Sequence, residues 1–426
     1  MSARRRWPLA LRMLLAATLG AAAAVVAVVV INHTPDLPPG PAPRTDAATV
    51  ARGAYLARLG NCAACHTPHG STPYAGGRGI ATPFGTVYAG NLTPDDGTGL
   101  GRWSADDFWR ALHHGRSRDG RLLSPAFPYT SFTHVSRDDS NALYAYLRSL
   151  APTPATSTPS TLRFPFNTQA ALAVWRAVYF RPADTDSPSP ADRTAQWQRG
   201  AYLVRGLGHC AACHAPRNAL GATLQGDALP GGTLPLQPWH APSLAPDGQQ
   251  PIARQQQDIV DLLRTGWTAH GTASGPMAEV VVGSTQYWTD QDLWATAVYL
   301  SSLPARPPAP KAQPKAGDEI ATQVQRGRAL YDKHCAGCHG VQGEGAGRAY
   351  PALAGNHTVN QTPADNLLQV IRHGGFAPST TANRRPFGMP PAALDPQEAA
   401  DVATYVRQAW GNQAPAVSIL ESLRAP

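Results

Sequence analysis

All six cysteines of this 426-residue chain fall in three copies of one pattern: Cys62-Ala-Ala-Cys65-His66, Cys210-Ala-Ala-Cys213-His214 and Cys335-Ala-Gly-Cys338-His339. None is left over for a disulfide framework. A thioredoxin-like pair needs no following histidine, and a structural zinc site needs four ligands from paired motifs. Cys-x-x-Cys-His is the attachment pattern of c-type haem: two thiols add to the vinyl groups as thioethers, and the histidine is placed under the iron. The chain is therefore expected to carry three covalently bound haem c groups. They are held by Cys62 and Cys65, Cys210 and Cys213, and Cys335 and Cys338, with His66, His214 and His339 as proximal iron ligands.

The repetition extends beyond the cysteines. Arg52-Gly53-Ala54-Tyr55-Leu56, Arg199-Gly200-Ala201-Tyr202-Leu203 and Arg326-Gly327-Arg328-Ala329-Leu330 stand shortly before each motif. Their apolar spacing suits an amphipathic helix whose glycine lets another helix approach closely. Downstream, a second helical segment ending in glycine spans 107–115, 258–266 and 365–374, and a third with an aromatic pair spans 139–150, 290–303 and 396–410. One helical unit is thus written three times.

Residues 13–31 form an uncharged run of Ala, Leu, Val and Gly behind a basic segment, residues 1–12, that holds Arg4, Arg5, Arg6 and Arg12. Nineteen helical residues span about 28 Å, close to the hydrocarbon thickness of a bilayer. The basic flank orients the amino terminus to the cytoplasm and the rest of the chain across the membrane, on the periplasmic side of a bacterial inner membrane. A cleaved signal peptide is the alternative, with small residues at Ala21 to Ala24, but cutting there leaves Val25 to Ile31 as an apolar stub. The formal net charge of +8 includes the basic leader, and the remaining arginines are scattered without a nucleic-acid motif, so nucleic acid is not expected as a partner. Pro-, Thr- and Ser-rich stretches divide the chain into domains at 45–150, 190–303 and 319–412. A linker with a short helix lies at 151–189, a Pro-rich linker at 304–318 and a tail at 413–426.

A methionine opposite the histidine usually completes such an iron site. Outside the leader there are two, Met277 and Met389, which lie 63 residues after His214 and 50 after His339 and are read as the distal ligands of haems 2 and 3. The first repeat places Phe127 at the matching distance, 61 residues after His66, and phenylalanine cannot coordinate iron. His134 is the candidate replacement; His113 or His114, or an open iron, are the alternatives.

Ala51-Arg52-Gly53-Ala54-Tyr55-Leu56, Ala81-Thr82-Pro83-Phe84-Gly85-Thr86, Asn91-Leu92-Thr93-Pro94-Asp95, Pro125-Ala126-Phe127-Pro128-Tyr129 and Cys213-His214-Ala215-Pro216-Arg217-Asn218 carry a closer resemblance. With these motifs the sequence resembles the triheme cytochrome c subunits of membrane-bound bacterial dehydrogenases for alcohol, gluconate, sorbitol, fructose or aldehyde, including relatives paired with molybdenum hydroxylases. The resemblance implies an all-α fold, three tandem class I cytochrome c domains after an N-terminal transmembrane helix. It also implies a separate dehydrogenase catalytic subunit, of flavin, quinone or molybdenum type, as electron donor, and ubiquinone or a terminal oxidase as acceptor. It further points to the Pro351 carbonyl, and to the segments Asn91-Leu92 and Ser243-Leu244, as partners for the three proximal histidines. Two competing readings are a haem enzyme, a peroxidase or small-molecule reductase at an open first iron, and a carrier serving a terminal oxidase without a dehydrogenase.

Overall fold

A computed structural model describes residues 9–33, 40, 42–184, 192–246, 248, 250–305 and 318–424. Arg4 to Arg6 and most of the second linker lie outside the described residues. The chain is helical, with four two-stranded antiparallel ribbons as its only sheets among the described residues.

Each repeat is built on a leading helix before the cysteines and a closing helix at its end. The pairs are Ala47–Leu59 with Arg137–Arg148, Ala195–Arg205 with Asp290–Ser301, and Asp318–His334 with Pro396–Gln408. The close approach expected of the glycines is realised. A Cβ on Gly53, Gly200 or Gly327 would fall well inside van der Waals contact with the carbonyl oxygen of Ala142, Ala295 or Asp401 across the pair. An arginine beside each glycine ties the helices again: Arg52 Nε donates to Asp139 at 2.9 Å, Arg199 Nε to Asp292 at 2.8 Å and Arg326 Nε to Asp401 at 2.6 Å. The middle helices are Ala105–His114, Ile252–Thr265 and Asp365–His373, and each ends on a glycine with positive φ, Gly115, Gly266 or Gly374.

The first two repeats share one core. Leu56, Leu59, Phe108, Phe132, Val135 and Leu143 of the first pack in the same cluster as Leu203, Leu207, Trp288 and Leu293 of the second. The third has its own, around Tyr331, Leu368, Val402 and Val406.

A reciprocal exchange at the helix ends explains the pairing. The Tyr55 hydroxyl donates to Asp292 at 2.6 Å and accepts from the Thr289 N–H at 3.2 Å; the Tyr202 hydroxyl donates to Asp139 at 2.6 Å and accepts from the Ser136 N–H at 3.2 Å. Ser136 and Thr289 are the N-caps of the two closing helices. Each repeat therefore satisfies an N-cap donor of the other, where a helix start otherwise leaves N–H groups unpaired. In the third repeat Ala329 stands where the tyrosines stand, and the Asp395 N-cap N–H is met within its own helix by Glu398 at 2.9 Å. The third repeat joins the second through polar contacts instead: His240 N–H to Asn366 at 2.8 Å, and the His357 N–H to the His270 carbonyl at 2.8 Å.

The amino-terminal apolar helix spans Leu9–Asn32, wider than the expected 13–31, and its flanks are exposed. The short connecting helix expected in the linker 151–189 is Gln169–Tyr179. The tail carries a short helix, Ile419–Arg424.

Candidate haem sites

In all three repeats the cysteines and histidine lie on or beside one short helix: Cys62–His66, Ala211–His214 with Cys210 at its N-cap, and Ala336–His339 with Cys335 at its N-cap. About one turn of helix separates the two thiols, so both face the same side with the histidine next to them. No disulfide joins any of the six cysteines. Burial pushes the thiols of Cys62 and Cys210 up to about 12 and that of Cys335 to about 11.

Each histidine is held from behind. His66 Nδ1 lies 2.6 Å from the Gly90 carbonyl, His214 Nδ1 2.7 Å from the Pro242 carbonyl and His339 Nδ1 2.9 Å from the Pro351 carbonyl. A carbonyl can only accept, so Nδ1 carries the proton and Nε2 keeps its lone pair for a metal. Burial lowers the pKa of all three imidazoles, against the opposing pull of that hydrogen bond, and favours the neutral, coordinating form. The Pro351 partner is the expected one. In the other two repeats the carbonyl belongs to the residue just before the expected segment. Asn91 shows why in the first: its Oδ1 accepts from Thr93 N–H at 2.8 Å and its Nδ2 donates to the Thr153 carbonyl at 2.8 Å, so that side chain fixes the turn and leaves the Gly90 carbonyl facing His66. Paired thiols and a neutral, oriented imidazole, present three times, form the donor set that haem c requires, and these residues fit it.

The expected distal residues lie in different settings. Met277 sits in the first turn of the helix Gly275–Gly283 and is half-buried. Met389 is in the ribbon Gly375–Phe376 with Gly388–Met389, also half-buried, and its carbonyl lies against Gly374 at the end of the middle helix. Phe127 packs on the shared core, its ring 5.3 Å from that of Phe132. His134 is on the seam between the first two repeats, where Gly206 faces its Cβ and the charges of Arg205 and Asp227 act on its ring. Tyr287 occupies the corresponding place across the seam, stacked on Arg58 at 4.4 Å. His113 stacks on Trp109, and His114 faces the end of the apolar helix. The tyrosine exchange escaped sequence reading; its signal was that Tyr55 and Tyr202 recur while the third repeat has Ala329.

The cytochrome c family model matches residues 50–151, 198–304 and 324–410, and each segment encloses one Cys-x-x-Cys-His. The cytochrome c subunit of the quinone alcohol dehydrogenase of Gluconacetobacter polyoxogenes is 40% identical over 395 residues, covering 88% of this chain and 83% of that one. The gluconate 2-dehydrogenase cytochrome c subunit of Pantoea cypripedii is 37% identical, covering 87% of each chain. The fructose dehydrogenase cytochrome subunit of Gluconobacter japonicus is 34% identical over 401 residues, covering 87% of this chain and 81% of that one. Covalent-attachment motifs, carbonyl-oriented histidines and these matches agree: the chain belongs to the cytochrome c family, among relatives that are cytochrome c subunits of dehydrogenases.

Proposed function

We propose that this chain is the membrane-anchored electron-transfer subunit of a dehydrogenase complex, with three tandem class I cytochrome c domains on the periplasmic side. On this reading it takes electrons from a separate catalytic subunit of flavin, quinone or molybdenum type and passes them to ubiquinone or a terminal oxidase. The observation that carries the reading is the threefold donor set, each with its histidine Nδ1 tied to a backbone carbonyl. Haem c bound at the three sites supplies reversible one-electron transfer.

The chain's own residues supply the rest. The cysteines fix the group covalently, and the carbonyls of Gly90, Pro242 and Pro351 orient the imidazoles. Met277 and Met389 are the distal ligands of the second and third. Anchoring is supported by Asn32, the last residue of the apolar helix, whose Nδ2 donates to the Ala173 carbonyl at 2.9 Å and whose Oδ1 accepts from Arg176 Nε at 3.1 Å. A leader meant for removal needs no such tie to the folded chain.

The first site supports a second reading. Phe127 has no lone pair and His134 is the proposed distal ligand there; without it the first iron would be open to small ligands, as a peroxidase or reductase would require. Extraction of the native chain from membranes in mild detergent tests the main reading: a dehydrogenase subunit is expected to co-purify, and a chain isolated without one would support a carrier for a terminal oxidase instead.

A further inference from the structure

Beyond the haem sites, the end of the apolar helix closes a cavity of about 140 Å³ against the first repeat, lined by Ile31, Asn32, His114, Arg176, Phe180 and Arg181 among others. Arg176 is 5% exposed. Its Nε is committed to Asn32, and its guanidinium lies over the rings of Phe180 and Tyr129 at 4.7 and 5.2 Å. Its Nη1 is buried with no acceptor within hydrogen-bond distance, and the Tyr129 hydroxyl, which interacts with the same guanidinium, is likewise left unpaired. A buried cationic donor left unpaired costs more than a made hydrogen bond returns, so it marks a place for an acceptor.

The charge balance gives the sign of that acceptor. Arg176 and Arg181 line the cavity, Arg116 donates to the Asn32 carbonyl beside it, and none of the described lining residues is acidic. Burial, aided by His113 and the neighbouring arginines, pushes His114 down to about 4, so it is a neutral donor rather than a further cation.

Depth in the bilayer gives the source. Arg12 and Asn32 are twenty residues apart on one helix, about 30 Å, which is the hydrocarbon thickness. With Arg12 at one interface, Asn32 and the cavity lie at the level of the opposite headgroups. Apolar surface continues from the cavity along Val29, Val30 and Ile31 of the anchor and Val174 and Val178 of the connecting helix, all exposed.

We propose that this cavity binds the phosphate of an anionic phospholipid headgroup, with Arg176 and Arg181 holding the phosphate oxygens, His114 donating to them, and the acyl chains lying along the exposed apolar flank. The site rests on the anchor reading of the apolar helix.

Native mass spectrometry of the full holoprotein in detergent, titrated with phosphatidylglycerol and separately with inorganic phosphate, tests it. One phosphatidylglycerol is expected to remain bound. Arg181→Gln is expected to weaken it about tenfold, and Arg176→Gln at least as much, with unchanged visible haem spectra as the check on folding. Equal binding of lipid by Arg181→Gln, or displacement of the lipid by inorganic phosphate at matched concentration, overturns the proposal. Intact mass separates the two readings: loss of the apolar helix removes the anchor and this site together, whereas a chain that keeps the helix and retains no lipid overturns the site alone.

Discussion

Methionine sulfur offers iron a lone pair and a phenyl ring offers none, so replacing one by the other changes what an iron site can bind. Met277→Ala and Met389→Ala are each expected to abolish the near-infrared sulfur-to-iron band of one haem and leave the other; an unchanged spectrum would remove that methionine as a ligand. At the first site, a low-spin haem that rejects carbon monoxide is expected in the reduced protein, and His134→Ala is expected to open it, so that about one haem in three then binds carbon monoxide. Carbon monoxide binding by the unaltered protein would remove His134 as a ligand and favour the open iron. Spacing alone could find Met277, Met389 and the gap at Phe127. It could not show that His134 lies beside Gly206 of the second repeat, because a distance along the chain says nothing about which neighbour a loop meets.

The helix pairs were legible in the sequence to a greater depth. Arginine followed by glycine, recurring before each motif, already implied a close crossing, and the Ala142, Ala295 and Asp401 carbonyls provide it. Gly200→Ala or Gly327→Ala is expected to cost about 3 kcal/mol or more, since the added methyl meets backbone rather than a side chain that can turn away; urea unfolding measures it. The tyrosine exchange was not legible, because Tyr55 and Tyr202 look like ordinary amphipathic-helix residues until two repeats face each other. Tyr55→Phe and Tyr202→Phe are each expected to cost about 1–2 kcal/mol, leaving an N-cap N–H and one carboxylate oxygen with a partner fewer. No matching residue exists in the third repeat, where Ala329 stands.

Across the whole molecule, the seam between the first two repeats is also where acid should act. Burial pushes Asp292 up, but Arg199 and Tyr55 outweigh it and hold the carboxyl below its ordinary value. A carboxylate whose folded pKa is depressed contributes stability that is complete above the unfolded value, about 3.9, and is lost as pH falls through the folded one. Thermal unfolding followed at the haem bands is therefore expected to show the seam weakening below about pH 4, and Asp292→Asn is expected to flatten that dependence. The threefold repeat was readable from its cysteines; the unequal packing, a core shared by the first two repeats and a separate one around the third, was not, because composition leaves interfaces unmarked.

The crossed tyrosines also bear on kinetics. Where two redox carriers sit on separate bodies, the time between jumps includes the time to meet, and thicker solvent or added salt slows it. Two repeats that complete each other's helices have no meeting to wait for. On the proposed reading, exchange between the first two sites is expected to proceed at a rate set by a fixed gap, indifferent to glycerol and to ionic strength.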